Sequence, residues 1–199
     1  IPLPTIEIQR EIVAELDGYQ KIIDAAQTIV KTYKPTININ PEWESVELSA
    51  VCDLGRGFAF KSSDYRNSGI ASFRVTNIGK DGLPDRRDLK YLPESFAEEY
   101  AKYLLKDGDF VIVMVGATTG KIGLITSDIL PALFNQNMWK FIPNESKLLK
   151  KFLFYLAPSL AAVSQGGAQG YLTQNIFMKQ NIPLPTIEIQ REIVAELDG

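Results

Sequence analysis

Histidine is absent from this 199-residue chain, and cysteine occurs once, at Cys52. The first absence excludes a Ser-His-Asp triad within the chain. Together the two leave no set of Cys and His ligands from which an ordinary zinc site could be assembled. A lone cysteine also excludes an internal disulfide framework and points to a reducing compartment such as the cytoplasm. Long apolar runs are missing as well. The densest, FVIVMV from Phe110 to Val115, is far short of the roughly 20 residues that a membrane-spanning helix needs and reads as a buried strand, so no membrane partner is expected. No charged-then-apolar leader pattern opens the chain. It begins at Ile1 rather than Met and stops inside what reads as a helix, as a piece of a longer protein or a redesigned one would.

What is present is ordinary globular material: 45% hydrophobic, 23% charged, 10% aromatic, with a formal net charge of −3. Such a chain can bury a core, and its length suits one medium domain with an appendage, or two small domains. The unusual feature is a repeat. IPLPTIEIQREIVAELDG occupies Ile1–Gly18 and returns without a change at Ile182–Gly199. Internal repeats govern architecture, so the chain is best divided around this one.

Pro4 and Thr5 predict a helix start, with Thr5 as N-cap and Glu7 in the first turn. Beyond them, Ile12, Leu16, Tyr19, Ile23, Ala26, Val30 and Tyr33 follow alternating steps of four and three, a heptad seam. A helix from Thr5 to Tyr33 would be roughly 43 Å long. Its narrow stripe asks for a partner helix; packing onto its own globular domain is the alternative. Pro35 ends it, and TININP reads as a linker. Four strands are predicted in the middle, at Phe73–Ile78, Asp109–Val115, Lys121–Thr126 and Asn137–Ile142. Helices are predicted at Ser95–Leu105 and Leu148–Val163, with a flexible loop over Ser164–Gly170 and a short helix in LTQNIFMKQ. The fold class is therefore α+β: a β-rich globular domain attached to a long helix able to form a coiled coil. The expected divisions are residues 1–35, 36–181 and 182–199.

No catalytic constellation emerges. GATTGKIG (Gly116–Gly123) has three residues between its glycines and Ile122 after Lys121, so it is a hairpin turn and not a phosphate loop. A metal-dependent nuclease would need converging carboxylates, and Asp85 and Asp88 are the only pair in a suitable context, PDRRDLK; a solvated loop suits them better. Charge is more informative. Between Leu54 and Lys90 there are eight basic residues against four acidic ones, with Phe58, Phe60, Tyr65 and Phe73 interleaved. That pattern fits contact with nucleic-acid phosphates, and it also fits a mixed solvated face.

The order of these features resembles the specificity subunits of type I restriction-modification enzymes. Pro183, Leu184, Pro185, Glu188, Gln190, Ile193, Val194 and Leu197 match the family's junction between target recognition domain and spacer helix. Pro2, Leu3, Pro4, Glu7, Gln9, Ile12, Val13 and Leu16 match it again. Ile8 and Ile189 depart from it where the family often has a second acidic residue. Trp43, Val46 and Leu48, then Phe73–Ile78, Leu105–Asp109, Gly120–Gly123 and Gly170–Thr173, resemble interior segments in the right order. The resemblance implies one spacer helix, one target recognition domain and the start of the next spacer. It implies double-stranded DNA as ligand, with the domain reading half of a split site. It further implies modification (methyltransferase) subunits docked on the spacers, and a restriction subunit in the full complex. The seam would meet a second spacer helix or a second copy of the chain. S-adenosylmethionine, ATP and magnesium would belong to the partner subunits, and none of them to this chain, which would make and break no bond. Candidate DNA contacts are Arg56, Lys61, Arg66, Arg74, Lys80, Arg86 and Arg87, with Lys121 and Gln169 as outlying candidates. A coiled-coil module that binds protein, and a metal nuclease using Asp85 and Asp88, stand as alternatives.

Overall fold

A run of apolar residues with helical period and no break until Pro35 predicts one long helix, and the computed structural model shows it. The structure describes residues 3–32, 37–164 and 173–198. The chain divides into two compact units, Ile1–Pro35 and Thr36–Gly199. The first is a single helix, α1 (Ile6–Thr32). Its turns begin with the Gln9 amide donating to the Thr5 carbonyl at 2.9 Å. A lone helix has nothing within its unit to cover its apolar residues. Ile12, Leu16, Tyr19 and Ile23 of the seam are 46–59% exposed, and Ala26 is exposed too. Val13, Ile22 and Ile29 are exposed off the seam, so the apolar surface is wider than the stripe predicted. The side chain of Val30 and the whole of Tyr33 lie outside the described residues.

The second unit is built around one four-stranded sheet. Its strands, in chain order, are β1 (Ser45–Glu47), β2 (Cys52–Arg56), β3 (Ile70–Phe73), β4 (Lys90–Leu92), β5 (Phe110–Val113), β6 (Ile122–Leu124), β7 (Ala132–Phe134), β8 (Met138–Pro143) and β9 (Asn181–Pro183). The central sheet runs β2-β8-β5-β6, all antiparallel. A second sheet, β4-β3-β7, joins β3 to β7 in parallel. A small third pairs β1 with β9, Val46 opposite Ile182. The helices are α2 (Phe96–Glu99), α3 (Lys150–Ser164), α4 (Gln174–Met178) and α5 (Ile187–Asp198).

Side chains alternate across a strand, so β5 contributes to two cores. Phe110 and Ile112 join Trp139, Phe141, Phe152 and Phe177 beneath α3 and α4. Val111 and Val113 join Met138, Phe73 and Phe134 against the second sheet. A strand covered on both faces must be apolar throughout, which explains the uninterrupted FVIV. The Phe110 and Phe141 rings stack with centroids 4.4 Å apart. Asp109, only 4% exposed, ties the turn before β5 to the rest. It accepts from the Lys106 amide at 2.9 Å and pairs with Lys150 at 2.9 Å and Lys140 at 3.6 Å.

Two predicted elements differ from the structure. The strand expected over Phe73–Ile78 ends at Phe73, and the chain turns through a 3₁₀ turn at Val75–Asn77. Buried Asn77 causes this: its side chain accepts from the Arg74 amide at 3.1 Å and donates to the Asp85 carbonyl at 3.1 Å. The helix expected at Ser95–Leu105 is α2 followed by a separate 3₁₀ turn, Ala101–Tyr103. The loop predicted over Ser164–Gly170 falls largely outside the described residues.

The second copy of the repeat folds with the globular unit. β9 supplies fully buried Ile182, and α5 packs Ile193 and Val194 against the core beneath α3. Gln190 is fully buried. Its carboxamide accepts from the Leu149 amide at 2.8 Å and donates to the carbonyls of Lys147 at 2.8 Å and Pro185 at 2.9 Å. It thereby satisfies a free backbone donor just ahead of α3. At the far end of α5, Asp198 accepts from the Tyr155 hydroxyl at 2.6 Å and pairs with Lys151.

Gln190→Ala would strand a buried donor and two carbonyls and should lower unfolding stability by about 3 kcal/mol. Gln9→Ala removes one partly exposed bond, to Pro4, and should leave stability within about 0.5 kcal/mol. Chemical denaturation of both variants checks the contrast. Burial, then the Asp198 carboxylate, push the Tyr155 hydroxyl up to about 12. A raised value favours the protonated folded form, so this contribution is complete below the ordinary tyrosine value of about 10 and is lost as pH rises toward 12. Tyr155→Phe should therefore flatten the fall in stability across that window.

Candidate nucleic-acid interface

The basic residues between Leu54 and Lys90 sit at strand ends and in loops, and all but the half-buried Arg74 are exposed. Arg56 closes β2, and its Nε lies 3.5 Å from the Gln136 carbonyl, in the turn between β7 and β8. That turn is held to β3, since the Asn135 amide donates to the Phe73 carbonyl at 3.0 Å. Arg74, the next residue after Phe73, is therefore the neighbour of the same turn.

From Arg74 the contacts run into the loop between β3 and β4. Arg74 donates to the Asp88 carboxylate at 2.9 Å and to the Asp88 carbonyl. Lys90 pairs with Asp88 at 3.1 Å. Hydrogen bonds from Lys90 and Arg74 hold the Asp88 carboxyl below its ordinary range. Arg87 grips Asp85 through Nε and Nη2, and this guanidinium lowers the Asp85 carboxyl to about 2. Arg86 reaches toward Asp128 at 3.8 Å and is 62% exposed. The loop folds back on itself through the Gly79 amide bonded to the Leu83 carbonyl at 2.7 Å. The β5–β6 hairpin braces it: the Leu124 amide donates to the Gly82 carbonyl at 2.9 Å, and Lys121 Nζ donates to the Ile78 carbonyl at 2.6 Å. Gly79 to Arg87 line an open groove on this loop.

Arg74, Lys80, Arg86, Arg87, Lys90 and Lys121 thus share one loop system, and Arg56 adjoins it across the Asn135–Asn137 turn. Arg66 reaches its edge by a bridge to Tyr91, beside Lys90; its guanidinium is spent on the Ser63 and Tyr65 carbonyls, both at 2.9 Å. Lys61 and Lys80 are exposed and make no ion pair among the described residues. Gln169 lies outside the described residues. The aromatics predicted beside the charges face inward: Phe73 is wholly buried, and Phe60, itself buried, packs with the partly buried Phe58 and Tyr65 near Phe96 and Tyr100 in a separate cluster.

Sequence reasoning missed the turn Asn135-Gln136-Asn137. Three consecutive amide side chains between two apolar strands were the available signal. Gln136 Oε1 and Arg74 Nε are both buried without a hydrogen-bond partner, so this corner holds polar groups that its own fold leaves unpaired. The nuclease alternative fares poorly on geometry. Asp85 and Asp88 are each held by basic side chains, and no cluster of three or more potential metal ligands exists among the described residues.

An α+β unit thus carries a basic loop face at one place and a docked junction helix at another. The family profile of the type I restriction modification DNA specificity domain matches residues 40–199. The chain belongs to that family. A specificity subunit of a type I restriction enzyme from Methanocaldococcus jannaschii is 27% identical over 230 aligned positions, covering 99% of this chain and 54% of the relative. A specificity subunit from Escherichia coli is 26% identical over 168 positions, covering 81% of this chain and 33% of the relative. A chain solved in work on complex assembly and conformational transition of the type I restriction-modification system superposes with a TM-score of 0.63 at 25% identity; all of this chain and 52% of that one are covered. The HsdS subunit from Thermoanaerobacter tengcongensis gives 0.61 at 24% identity, covering all of this chain and 51% of that subunit, and shows the fold alone. This specificity-domain chain therefore spans about half the length of the M. jannaschii relative and of both solved chains. No helix among its described residues is long and apolar enough to cross a membrane.

The basic loop face of this specificity domain contains two kinds of cation. Lys121 braces the fold from a partly buried position, so Lys121→Met should cost about 1–2 kcal/mol of stability. Arg74→Ala should also lower the melting temperature, by releasing the loop at Asp88. Lys61→Ala should leave it unchanged, because an exposed unpaired lysine contributes almost nothing. Differential scanning calorimetry of the three variants reads the distinction.

Proposed function

We propose that residues 36–181 read one part of a bipartite double-stranded DNA target, and that the repeated helices dock methyltransferase subunits of a type I restriction-modification complex. The observation that carries the DNA reading is the loop system of Arg56, Arg74, Lys80, Arg86 and Arg87, braced by Lys121 and lying in a family named for DNA specificity. Its exposed cations suit phosphate oxygens, which position a protein on a duplex, while Arg, Asn and Gln side chains are the usual readers of guanine and adenine edges in the major groove. Lys61, Arg66 and Gln169 remain candidate contacts at its margin. Arg87 would have to share its guanidinium between Asp85 and a phosphate, so Arg86 and Lys80 are the less encumbered cations. S-adenosylmethionine, ATP and magnesium would be brought by the modification and restriction subunits. The chain's own part is recognition, without catalysis.

A second reading, a module that binds protein through a coiled coil, draws on α1. Nine of its large apolar side chains are at least 46% exposed, and Ile12 to Tyr33 would meet a second spacer helix or a second copy of the chain. The two readings are compatible, since a rod that separates two recognition units needs a partner along its length.

Replacing Arg86 and Arg87 together by alanine should weaken duplex binding and lower the slope of log affinity against log salt by about 1–2, since each phosphate left without its cation removes about one unit. Fluorescence anisotropy across a salt series measures it, with specificity selected from randomised duplexes in the presence of a modification subunit. An unaltered slope would remove this loop from the footprint. Failure of the unaltered protein to prefer any duplex would count against the reading as a whole.

A further inference from the structure

The Asn135-Gln136-Asn137 turn is fastened to the ends of three strands by its backbone. From β3, the Phe73 carbonyl accepts the Asn135 amide at 3.0 Å, and from β5 the Met114 amide donates to the Asn137 carbonyl at 3.0 Å. Just past β2, the Gly57 and Phe58 amides donate to the Met138 and Phe134 carbonyls at 3.2 and 3.1 Å. Gly57 lies so near that a Cβ there would fall 2.0 Å from the Asn135 carbonyl oxygen. Within the turn, the Met138 amide donates to the Asn135 carbonyl at 3.3 Å, and the Asn137 amide to Asn135 Oδ1 at 3.2 Å. Asn135 is thus spent on the fold.

The next two side chains are not. Asn137 is exposed, and its carboxamide makes no hydrogen bond among the described residues. Half-buried Gln136 turns its Oε1 inward, where no donor meets it. An oxygen left that way is costly, and swinging it out to a donor breaks no bond. An apolar group stands alongside. The β5–β8 register sets Val113 opposite Met138, and the Met114–Asn137 bond continues it, so Val115 runs on beside the turn. Val115 is 54% exposed, two residues after a strand that is wholly buried.

We infer that this turn chooses the base pair: the Gln136 and Asn137 carboxamides take the major-groove edge of adenine, and Val115 meets the methyl group of a neighbouring thymine. Adenine offers an acceptor at N7 and a donor at N6, the complement of a carboxamide, whereas guanine offers two acceptors and cytosine has no methyl. Amide and valine therefore favour A·T over G·C together. A duplex suits the site better than a protein partner because cations adjoin it. Arg56 Nε lies 3.5 Å from the Gln136 carbonyl, and Arg74 follows the Phe73 that holds Asn135. Phosphate contacts at the margin of base-reading groups are the usual division of labour on DNA. The inference rests on the DNA reading proposed above and divides it: the basic loop positions, and the amide turn selects. Because its backbone is already fixed, the turn has little freedom left to lose on binding.

The test uses the whole chain with a modification subunit and the duplex it selects from randomised sequences, each base pair then being changed in turn and affinity read by anisotropy. For the unaltered protein, A·T to G·C at one or more positions should weaken binding by about tenfold or more. Gln136→Ala combined with Asn137→Ala should reduce that penalty to about threefold or less at those positions alone, and Gln136→Arg should turn the preference at one of them to G·C, since a guanidinium pairs with guanine O6 and N7. Deoxyuridine in place of thymidine should weaken the unaltered protein about fourfold, the worth of one buried methyl, and leave Val115→Ala indifferent. Ratios between duplexes do not depend on how much of a variant is folded, so they separate recognition from stability. A selected duplex whose penalties survive unchanged in the double variant would overturn this inference and leave the DNA reading standing. If the unaltered protein selects no duplex, the DNA reading itself fails and the inference with it.

Discussion

The four-stranded sheet must be covered on both faces, and most of the second unit follows from that demand. β5 has no polar side to offer water, so α3 and α4 close one face and the β4-β3-β7 sheet closes the other. Packing two layers against a third consumes the apolar residues of the middle of the chain. What remains for the surface is collected at the ends of strands, where the polar and basic residues lie. The basic loop face is in this sense a by-product of core construction: its cations gather where the sheets stop.

The loop that carries Arg86 and Arg87 would be floppy if left to itself, being rich in glycine and charge. It is instead tied down at four places: by Asn77 to Asp85, by Arg74 to Asp88, by Lys121 to Ile78 and by Leu124 to Gly82. Several of the basic residues therefore work as braces first. A cation that orders its own loop spares the entropy of ordering that loop on a ligand. Such bracing also explains why counting charges along the sequence overstates the number free to meet phosphate.

How far the sequence spoke depends on the range of the interactions involved. The long helix, the apolar β5, the β5–β6 hairpin around Gly116–Gly120, and α3 were legible because period and turn residues are local signals. The strands β1, β2, β4, β7 and β9 were not: each has three to five residues, and pairing partners far along the chain decide their state. Asn77 looked like part of a strand because nothing local revealed that Asp85 would receive its amide. The two repeat copies make the point most sharply. They are the same eighteen residues, yet one ends buried at Gln190 and the other stands in solvent along its apolar face. No property of the segment itself could distinguish them; only the surroundings do.

The pairing of β1 with β9 sets Ser45 opposite Pro183 and Glu47 opposite Asn181, so the polypeptide enters and leaves the globular body through one doorway. A body attached that way behaves as a cassette. Its interior loops can diverge, lengthen or be exchanged wholesale while the flanking helices keep their course, because the break points lie side by side.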